Sequence, residues 1–564
     1  MSAFIGAMDQ TSYQQTGVNG SDVYSQPVGE SGELLALFGA LNRDLDKTVL
    51  LSMMDTAKNT ASQEDLFVLA YHVRDILEGK GERELFYQMM LHLYKSNPES
   101  AISVLRHVPH YGAWFDLQNL LEKALVDGVL QQREVDEKVQ INSADPLVSR
   151  IVQLYGDQLK TDASAEKNLS LAGKWMPRRN KKNGWLAMFV AKYLGMNEKQ
   201  FRLFLSGLNA RLDTVEPKMC HDKNGEHHFS DIQPGKVPSL CLKKKRKGFF
   251  NEDKDGDIRF PKDLDRMKCR DHFLEHMNRA VKGEATVNGK VLMPHEFIVE
   301  LQKSNTESDR NTLQAQWNSL RDATLAKGSL GKTVVMCDFS GSMCSSYGKV
   351  APIDVSKGLG LLCAECASPA FRDRILTFDS TPTWHNLSRF KTLDSRVNSF
   401  NGVSQGTSTN FQGAVDLVLN RLVEAKVPVG EEPDILLVIT DMGWDQANNQ
   451  ATYYDYGKGQ TKANSGFETH IDRIKRDFQT RGGWKVPTIV IWNVSGKFQE
   501  YHHQSNTEGV CVISGWSGAI LKYIMNGDDI VEKMKNMTPY KMMRQVLDDP
   551  RYDPIRNALK AKDL

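Results

Sequence analysis

Three oxygen-bearing side chains follow one apolar strand in this sequence. The run Val334–Cys337 is uniformly apolar, which is typical of a strand buried on both faces of a parallel sheet. It is followed by Asp338, and then by Ser340 and Ser342 at alternate positions. Open α/β sheets bind ligands just beyond the carboxyl ends of their strands. One carboxylate with two hydroxyls suits a magnesium-like cation that keeps water and takes a further ligand from outside. The alternative is a polar strand-to-helix turn whose serines cap the next helix.

The spacing Asp-x-Ser-x-Ser resembles the first element of the metal-ion-dependent adhesion site (MIDAS) of von Willebrand factor A (vWA) domains. The resemblance implies that a second loop contributes a threonine and that an aspartate follows a later strand. Residues 406–414 contain both Thr407 and Thr409. Thr409 matches the family's loop-to-helix entry better, because Asn410 follows it directly and the small Ala414 comes shortly after.

The aspartate that the resemblance requires follows a second apolar run. Ile435–Thr440 has the composition of another buried strand, and Asp441 comes directly after it. Many vWA domains have glycine at the next position, where this chain has Met442, with Gly443 one residue later. This departure bears on the shape of the loop. The implied site for Mg²⁺, or for another divalent cation, consists of Asp338, Ser340, Ser342, Thr409 and Asp441.

The residue types at this site favour binding over catalysis. The sequence contains no recognisable set of nucleophile, base and orienting group, and phosphoryl chemistry would need a second metal or a positioned base. In vWA domains the hydroxyl-rich site leaves the cation electrophilic, so that it captures a carboxylate. We therefore expect no enzymatic activity. The remaining ligand would be an Asp or Glu from a protein partner or from another part of this chain. In a third hypothesis the site stays empty and only the fold matters.

Length and composition are those of a multidomain globular protein. A chain of 564 residues exceeds one ordinary core, and its 40% hydrophobic and 25% charged residues are typical of soluble proteins. No run approaches the ~20 apolar residues of a membrane span, and no signal peptide is recognisable. The eight cysteines, several of them in apolar runs, indicate reduced thiols. We expect a cytoplasmic protein, or a nuclear one, without a membrane partner.

The hydrophobic periodicity changes near residue 330. Before this point apolar residues recur at i, i+3 and i+4 in short segments, which predicts stacked helix pairs. After it, apolar runs at 374–378, 435–440, 488–492 and 510–513 predict further strands of a doubly wound α/β domain. The predicted organisation is a flexible tail (1–32), an α-helical repeat region (33–328) with a polar and basic insertion near 215–265, a vWA domain (329–530) and a helical C-terminal tail (531–564).

Two dense basic runs lie in the helical half, although the net charge of the chain is only +1. Arg178–Lys182 follows Trp175, and Lys243–Lys247 precedes two phenylalanines. Basic groups that track phosphates, next to rings on which bases stack, are what single-stranded RNA binding requires. The alternatives are solvated loops or, for the second run, a nuclear import signal. The candidate RNA contacts are Arg178, Arg179, Lys181, Lys182, Lys243, Lys244, Lys245, Arg246 and Lys247.

A wider resemblance extends from about residue 34 to residue 550. Motifs such as Arg74-Asp75, Val108–Leu117, Met293–Glu296 and Val512–Ser517 resemble a vWA-bearing family of unassigned function. Its arrangement, HEAT-like helical repeats followed by a vWA domain, is similar to that of the Ro ribonucleoproteins, whose helical TROVE module binds RNA. The resemblance implies a Ro-like RNA-binding or ribonucleoprotein scaffold. In such a scaffold the cation would mediate docking, either between two parts of this chain or with a partner. The rival hypothesis, favoured by the near-neutral charge, is a metal-dependent protein-interaction or assembly component without RNA.

Overall fold

The computed structural model describes residues 11–561, except residues 28, 136–137, 223, 347, 349, 404–405, 407, 446–452, 456–458, 462–467 and 526–533; the side chains of 132–140, 453–455 and 459–461 are also outside the description. The chain forms two compact units, each discontinuous in sequence. The sheet unit comprises residues 1–61 and 229–546, and the helical unit comprises residues 62–228 and 547–564. Among the described residues, no helix is both long and apolar enough to cross a membrane.

One six-stranded sheet organises the sheet unit. The strands of the chain are β1 (Gln14–Thr16), β2 (Asp22–Tyr24), β3 (Gln132–Val135), β4 (Lys138–Ile141), β5 (Thr333–Asp338), β6 (Arg374–Phe378), β7 (Thr383–Asn386), β8 (Ile435–Thr440), β9 (Tyr453–Asp455), β10 (Gly459–Thr461), β11 (Thr488–Asn493) and β12 (Val510–Ser514). The large sheet has the order β12-β11-β8-β5-β6-β7, and only β7 runs antiparallel to its neighbour. The strands predicted at 374–378 and 435–440 are confirmed, and the two later ones extend one residue further than predicted.

The strand order reverses between β5 and β8. From β5 the chain moves to β6 on one side and later returns to β8 on the other. In open α/β sheets such a reversal opens a crevice at the carboxyl ends of the two strands. Asp338 and Asp441 both lie at this crevice, because one is the last residue of β5 and the other follows β8 directly.

Helices cover both faces of this sheet, which explains why β5, β8, β11 and β12 are buried along their whole length and mostly apolar. Val334 and Met336 of β5 belong to a core with the helices Phe411–Glu424 and His470–Arg481. The alternate face of β5 packs on Pro352–Cys366. The helices of the sheet unit are Gly32–Ala40, Lys47–Ala57, Ser239–Phe249, Leu264–Val281, Pro294–Leu301, Glu307–Leu325, Pro352–Cys366, Leu393–Asn398, Phe411–Glu424, His470–Arg481 and Pro539–Leu547.

The helices between residues 239 and 325 cluster with the sheet, although their periodicity assigned them to the repeat region. Trp317 is buried and its indole N–H donates to Glu365 on the helix behind β5 (3.0 Å). Pro294–Leu301 packs closely on that same helix, and the backbone of Pro294 leaves no room for a side chain at Gly358. Periodicity predicts a helix but does not predict its packing partner, so the sequence alone does not show this grouping.

The helical unit consists mainly of short helices that pack on their neighbours in sequence. They span Gln63–Arg74, Glu84–Ser96, Pro98–Val104, Val108–Tyr111, Trp114–Val126, Pro146–Ser164, Ala172–Trp175, Gly184–Tyr193, Glu198–Ala210, Val215–Lys218 and Asp553–Lys560. The last of these returns from the C-terminal end of the chain. Arg551 there forms an ion pair with the fully buried Asp75 (2.8 Å between Nη2 and Oδ1), and the Tyr552 hydroxyl bonds His72 Nδ1 (2.9 Å).

Residues 11–27, within the segment predicted to be a flexible tail, are packed on the sheet unit. Strands β1 and β2 pair with each other, and the Tyr24 amide donates to the Tyr501 carbonyl (2.8 Å). The polar composition that suggested a tail is compatible with this packing, because main-chain groups and polar side chains such as those of Asn19 and Asp22 make many of the contacts. All eight cysteines are free thiols.

Candidate metal centre

Three loops meet at the carboxyl ends of β5 and β8. The loop after β5 is joined to the loop before the helix Phe411–Glu424, because the Gly341 amide donates to the Gly406 carbonyl (2.9 Å). The loop after β8 joins the same group through the Asp445 amide, which donates to the Thr409 carbonyl (3.1 Å). These main-chain bonds bring together the three segments that carry the five predicted metal ligands.

Asp338 is fully buried, and both of its carboxylate oxygens accept hydrogen bonds. The Ser340 amide donates to Oδ1 (2.9 Å) and the Thr440 hydroxyl donates to Oδ2 (2.7 Å). Burial raises the pKa of Asp338 to about 7, and the charge of Asp441 acts in the same direction. An ionised carboxylate at this position is therefore unfavourable unless a positive charge lies beside it.

Asp441 is buried but only partly satisfied. The Gly443 amide donates to its Oδ1 (3.2 Å), whereas its Oδ2 is buried without a hydrogen-bond partner. Burial raises the pKa of Asp441, while the Ser342 hydroxyl, the Gly443 amide and the charge of Lys497 lower it. Among the described residues, no lysine or arginine forms a salt bridge with either aspartate. Asp441 Oδ2 is thus a buried acceptor without a donor, and the carboxylate of Asp338 interacts with it. A bound cation would satisfy this oxygen and balance the two charges.

The three predicted hydroxyl ligands lie in the same loops. Ser340 and Thr409 are buried and Ser342 is partly buried. The Ser340 and Ser342 hydroxyl oxygens are 3.1 Å apart. Two carboxylates and three hydroxyls form a set of hard oxygen donors, which is what Mg²⁺ prefers. The residues present therefore fit a small divalent cation. Thr407, the alternative threonine, lies outside the described residues.

The departure at Met442 has a clear structural counterpart. Met442 adopts φ = 75°, in the left-handed region where glycine is favoured and a side chain costs roughly 1–2 kcal/mol. Its side chain is buried in the core of the sheet unit, which offsets this cost. The loop therefore keeps the backbone shape of a glycine-containing loop while adding an apolar anchor.

Thr440 has a positioning role that the motif analysis missed. Its hydroxyl donates to Asp338 Oδ2 and accepts hydrogen bonds from the Met442 amide (3.1 Å) and the Trp444 indole N–H (3.0 Å). Because two donors occupy its lone pairs, the hydroxyl hydrogen is directed at Asp338. The available signal was a hydroxyl residue at the end of a buried strand, directly before the aspartate.

Asp379 is a second positioning residue, and it follows β6 directly. Its Oδ1 accepts the Thr381 amide (2.8 Å) and its Oδ2 accepts the Gly406 amide (2.9 Å). It thereby fixes the start of the loop that carries Thr409. An acid at a third strand end was visible in the sequence, but it matched no part of the Asp-x-Ser-x-Ser pattern.

The first basic run lies on the surface of the helical unit. Arg178, Arg179, Lys181 and Lys182 are all exposed. Arg179 forms an ion pair with Glu198, and Lys182 pairs with Glu122 (2.5 Å). Trp175, three residues before Arg178, is 38% exposed. The run therefore presents positive charge next to an accessible ring, but acidic neighbours neutralise half of it.

The second basic run is divided by the helix that carries it. Arg246 is only 7% exposed and bonds both Glu300 and Asp309, so it is unsuited to contact RNA. Lys243 pairs with Glu296 (2.6 Å), and Lys247 lies 3.9 Å from Asp309. Of the five side chains, only Lys244 and Lys245 are exposed. The helical period places Lys243, Arg246 and Lys247, at i, i+3 and i+4, toward acidic partners, which the count of charges in the sequence does not reveal.

Two family descriptions match parts of the chain. Residues 332–561 match a domain of unknown function (DUF7788), and residues 190–330 match another domain of unknown function (DUF2828). The chain is also 27% identical over 552 residues to an uncharacterized protein (L728) of Acanthamoeba polyphaga mimivirus. The aligned residues cover 95% of this chain and 88% of the viral protein.

The chain is also similar to solved structures at low identity, among them a Ro protein. The Ro (RSR) protein of Deinococcus radiodurans matches 84% of this chain and 94% of its own, with 10% identity and a TM-score of 0.36. A TM-score below 0.5 does not show that two proteins share a fold or a function. The vWA resemblance therefore depends on the motifs and the site geometry of this chain.

Proposed function

We propose that this protein is a non-catalytic binding protein that docks an acidic partner group through a divalent cation. Asp338, Ser340, Ser342, Thr409 and Asp441 would hold the cation in a vWA-type site. When bound, the cation supplies a Lewis-acidic position that accepts a carboxylate. The observation that carries the proposal is the pair of buried aspartates at the switch point of the sheet. Within the part of the chain that the structure describes they form no salt bridge, and Asp441 Oδ2 has no hydrogen-bond partner.

The surrounding residues support positioning and not chemistry. Both oxygens of Asp338 accept hydrogen bonds, and Thr440 and Asp379 fix the loops. The cysteine near the site, Cys344, has its pKa raised by burial, so its thiol is not activated. The site is thus built to hold an ion and bind through it.

Direct metal binding tests this proposal. Mn²⁺ binding, measured by electron paramagnetic resonance and displaced by Mg²⁺, should occur in the wild type and be lost in Asp338→Ala. The exposed Asp257 offers a matched control, since Asp257→Ala removes the same group from the loop between the helices Ser239–Phe249 and Leu264–Val281, which carries no proposed ligand. Equal Mn²⁺ binding in Asp338→Ala and in the wild type would remove the site assignment.

Single-stranded RNA binding is a second candidate function, favoured by one observation. Arg178 and Lys181 are exposed close in sequence to the accessible ring of Trp175, within the helical unit. Filter binding of an oligouridine probe should weaken steeply between 50 and 200 mM salt. Arg178→Ala/Lys181→Ala should reduce both the affinity and the slope with salt. Absence of salt-sensitive binding in the wild type would leave metal-dependent protein docking, without RNA, as the function.

A further inference from the structure

A short N-terminal segment covers the metal edge of the sheet. We name residues 14–24, that is β1, β2 and their connecting loop, the N-terminal strap. Gly20 forms a β-bridge with Asp445, and the Asn19 amide group donates to the Gly443 carbonyl (2.6 Å). Both contacts are with the loop that follows Asp441. The strap therefore lies against one of the three loops that carry the metal ligands.

The strap also holds a buried glutamate. The Val18 amide donates to Glu500 Oε1 (2.5 Å), and Glu500 is only 5% exposed. A Cβ at Gly17 would lie 2.6 Å from Glu500 Oε2, so a larger residue there would have to displace the carboxylate. Glu500 Oε2 is buried without a hydrogen-bond partner, as is the Ser21 hydroxyl beside it. One carboxylate oxygen is thus satisfied by the strap, and the other is left open.

Glu500 lies within electrostatic range of the proposed metal ligands. Burial raises its pKa, the Val18 amide lowers it, and the charge of Asp441 raises it further. Glu500 and Asp441 are both buried and each leaves one oxygen without a partner, which is costly in the absence of a compensating charge. A divalent cation at the strand ends would compensate both. The strap alone does not, because it contributes a single N–H to Glu500.

We infer that Glu500 is the acidic group that this chain itself presents to the cation, directly or through a water, and that the N-terminal strap holds it in place. This inference rests on the proposed function. It answers which carboxylate occupies the remaining coordination position when no partner is bound. The docking site is then self-occupied, and an acidic partner must displace Glu500 and the strap together.

Glu500→Gln tests the inference with a side chain of nearly the same shape. Its amide oxygen can still accept the Val18 N–H, so the strap contact is kept. We expect Mn²⁺ affinity to fall at least tenfold, the usual effect of removing a supporting group at a metal site. Without metal, the melting temperature of Glu500→Gln should equal or exceed that of the wild type, because a buried charge is removed. The exposed Glu431→Gln is the matched control and should behave as the wild type.

Hydrogen exchange of the strap supplies a second measurement. Mg²⁺ should slow the exchange of residues 17–21 in the wild type, because the cation fixes Glu500 and hence the Val18 amide. The effect should be absent in Glu500→Gln and in Asp338→Ala. Wild-type Mn²⁺ affinity in Glu500→Gln, with strap exchange insensitive to Mg²⁺, would overturn the inference while leaving the proposed function intact. Lack of Mn²⁺ binding by the wild type would instead overturn the proposed function, and this inference with it.

Discussion

Asp441→Asn should stabilise the metal-free protein and abolish its response to metal. The amide oxygen of the substituted side chain can keep the hydrogen bond from the Gly443 amide. Its NH₂ group would take the place of Oδ2, which has no partner in the wild type. Asp338 lacks this advantage, because both of its oxygens accept hydrogen bonds that an NH₂ group would break.

The magnitude follows from the two buried charges. Raising the pKa of Asp338 from 3.8 to about 7 corresponds to about 4 kcal/mol of unfavourable free energy for its ionised form at pH 8. Burial is the larger cause and the charge of Asp441 is the second. Removing that charge should recover about 1 kcal/mol. Mg²⁺ at a hundred times its dissociation constant should stabilise the wild type by about 2.7 kcal/mol and the variant hardly at all.

Chemical unfolding at pH 8, in EDTA and in Mg²⁺, measures both effects. The sheet unit contains the buried tryptophans Trp444, Trp492 and Trp516, so intrinsic fluorescence reports on its unfolding. The stability order of wild type and variant should reverse between the two conditions. The exposed Asp257→Asn should show the wild-type response. A variant that is less stable in EDTA and gains as much from Mg²⁺ as the wild type would refute the reasoning, because the aspartate would then be a structural group.

Three further predictions concern other parts of the chain. Arg551→Met should destabilise the helical unit by about 3–5 kcal/mol, since it leaves the buried Asp75 without its ion-pair partner; thermal unfolding by circular dichroism measures the loss. Met442→Gly should be about 1 kcal/mol more stable than Met442→Ala in chemical unfolding, because only glycine relieves the left-handed backbone. Both variants should be less stable than the wild type, since both lose the buried side chain. The reverse order of the two variants would contradict the strain argument. Burial lowers the pKa of His470 to about 4, so the native state resists protonation and its free energy of unfolding decreases as the pH falls from 7 to 5. This decrease should be about 2 kcal/mol smaller in His470→Gln. An unchanged dependence of the unfolding free energy on pH would show that the histidine is not held neutral.

The local parts of the proposed metal site could be predicted from the sequence. Strands such as Ile435–Thr440 are nearly continuous apolar runs, which is the typical composition of a strand buried on both faces. The Asp-x-Ser-x-Ser spacing after one strand and Asp441 after another place oxygens at strand ends regardless of the rest of the fold. The helices were predictable for the same reason, since their periodicity is written in consecutive residues.

The parts that the sequence left undetermined depend on contacts between distant residues. Val18 and Glu500 are separated by 482 positions, and the polar composition of the N-terminal segment predicts a tail when that partner is unknown. Arg246 is basic in any reading of the sequence, but its ion pairs with Glu300 and Asp309 remove it from the surface. A charge run therefore gives the number of basic groups and not the number that remain accessible.

The sequence by itself determined which residues could bind a cation, because residue type and spacing set the donor atoms and the strand ends. Only the tertiary structure decided what surrounds those donors. Folding buries Asp338 and Asp441 without a salt bridge to any described residue, and it places Thr440 and Asp379 as supports. It also brings Glu500 and its strap to the same edge of the sheet. The physical reason is that the cost of a buried charge depends on its whole surroundings, and those are assembled from segments far apart in the chain.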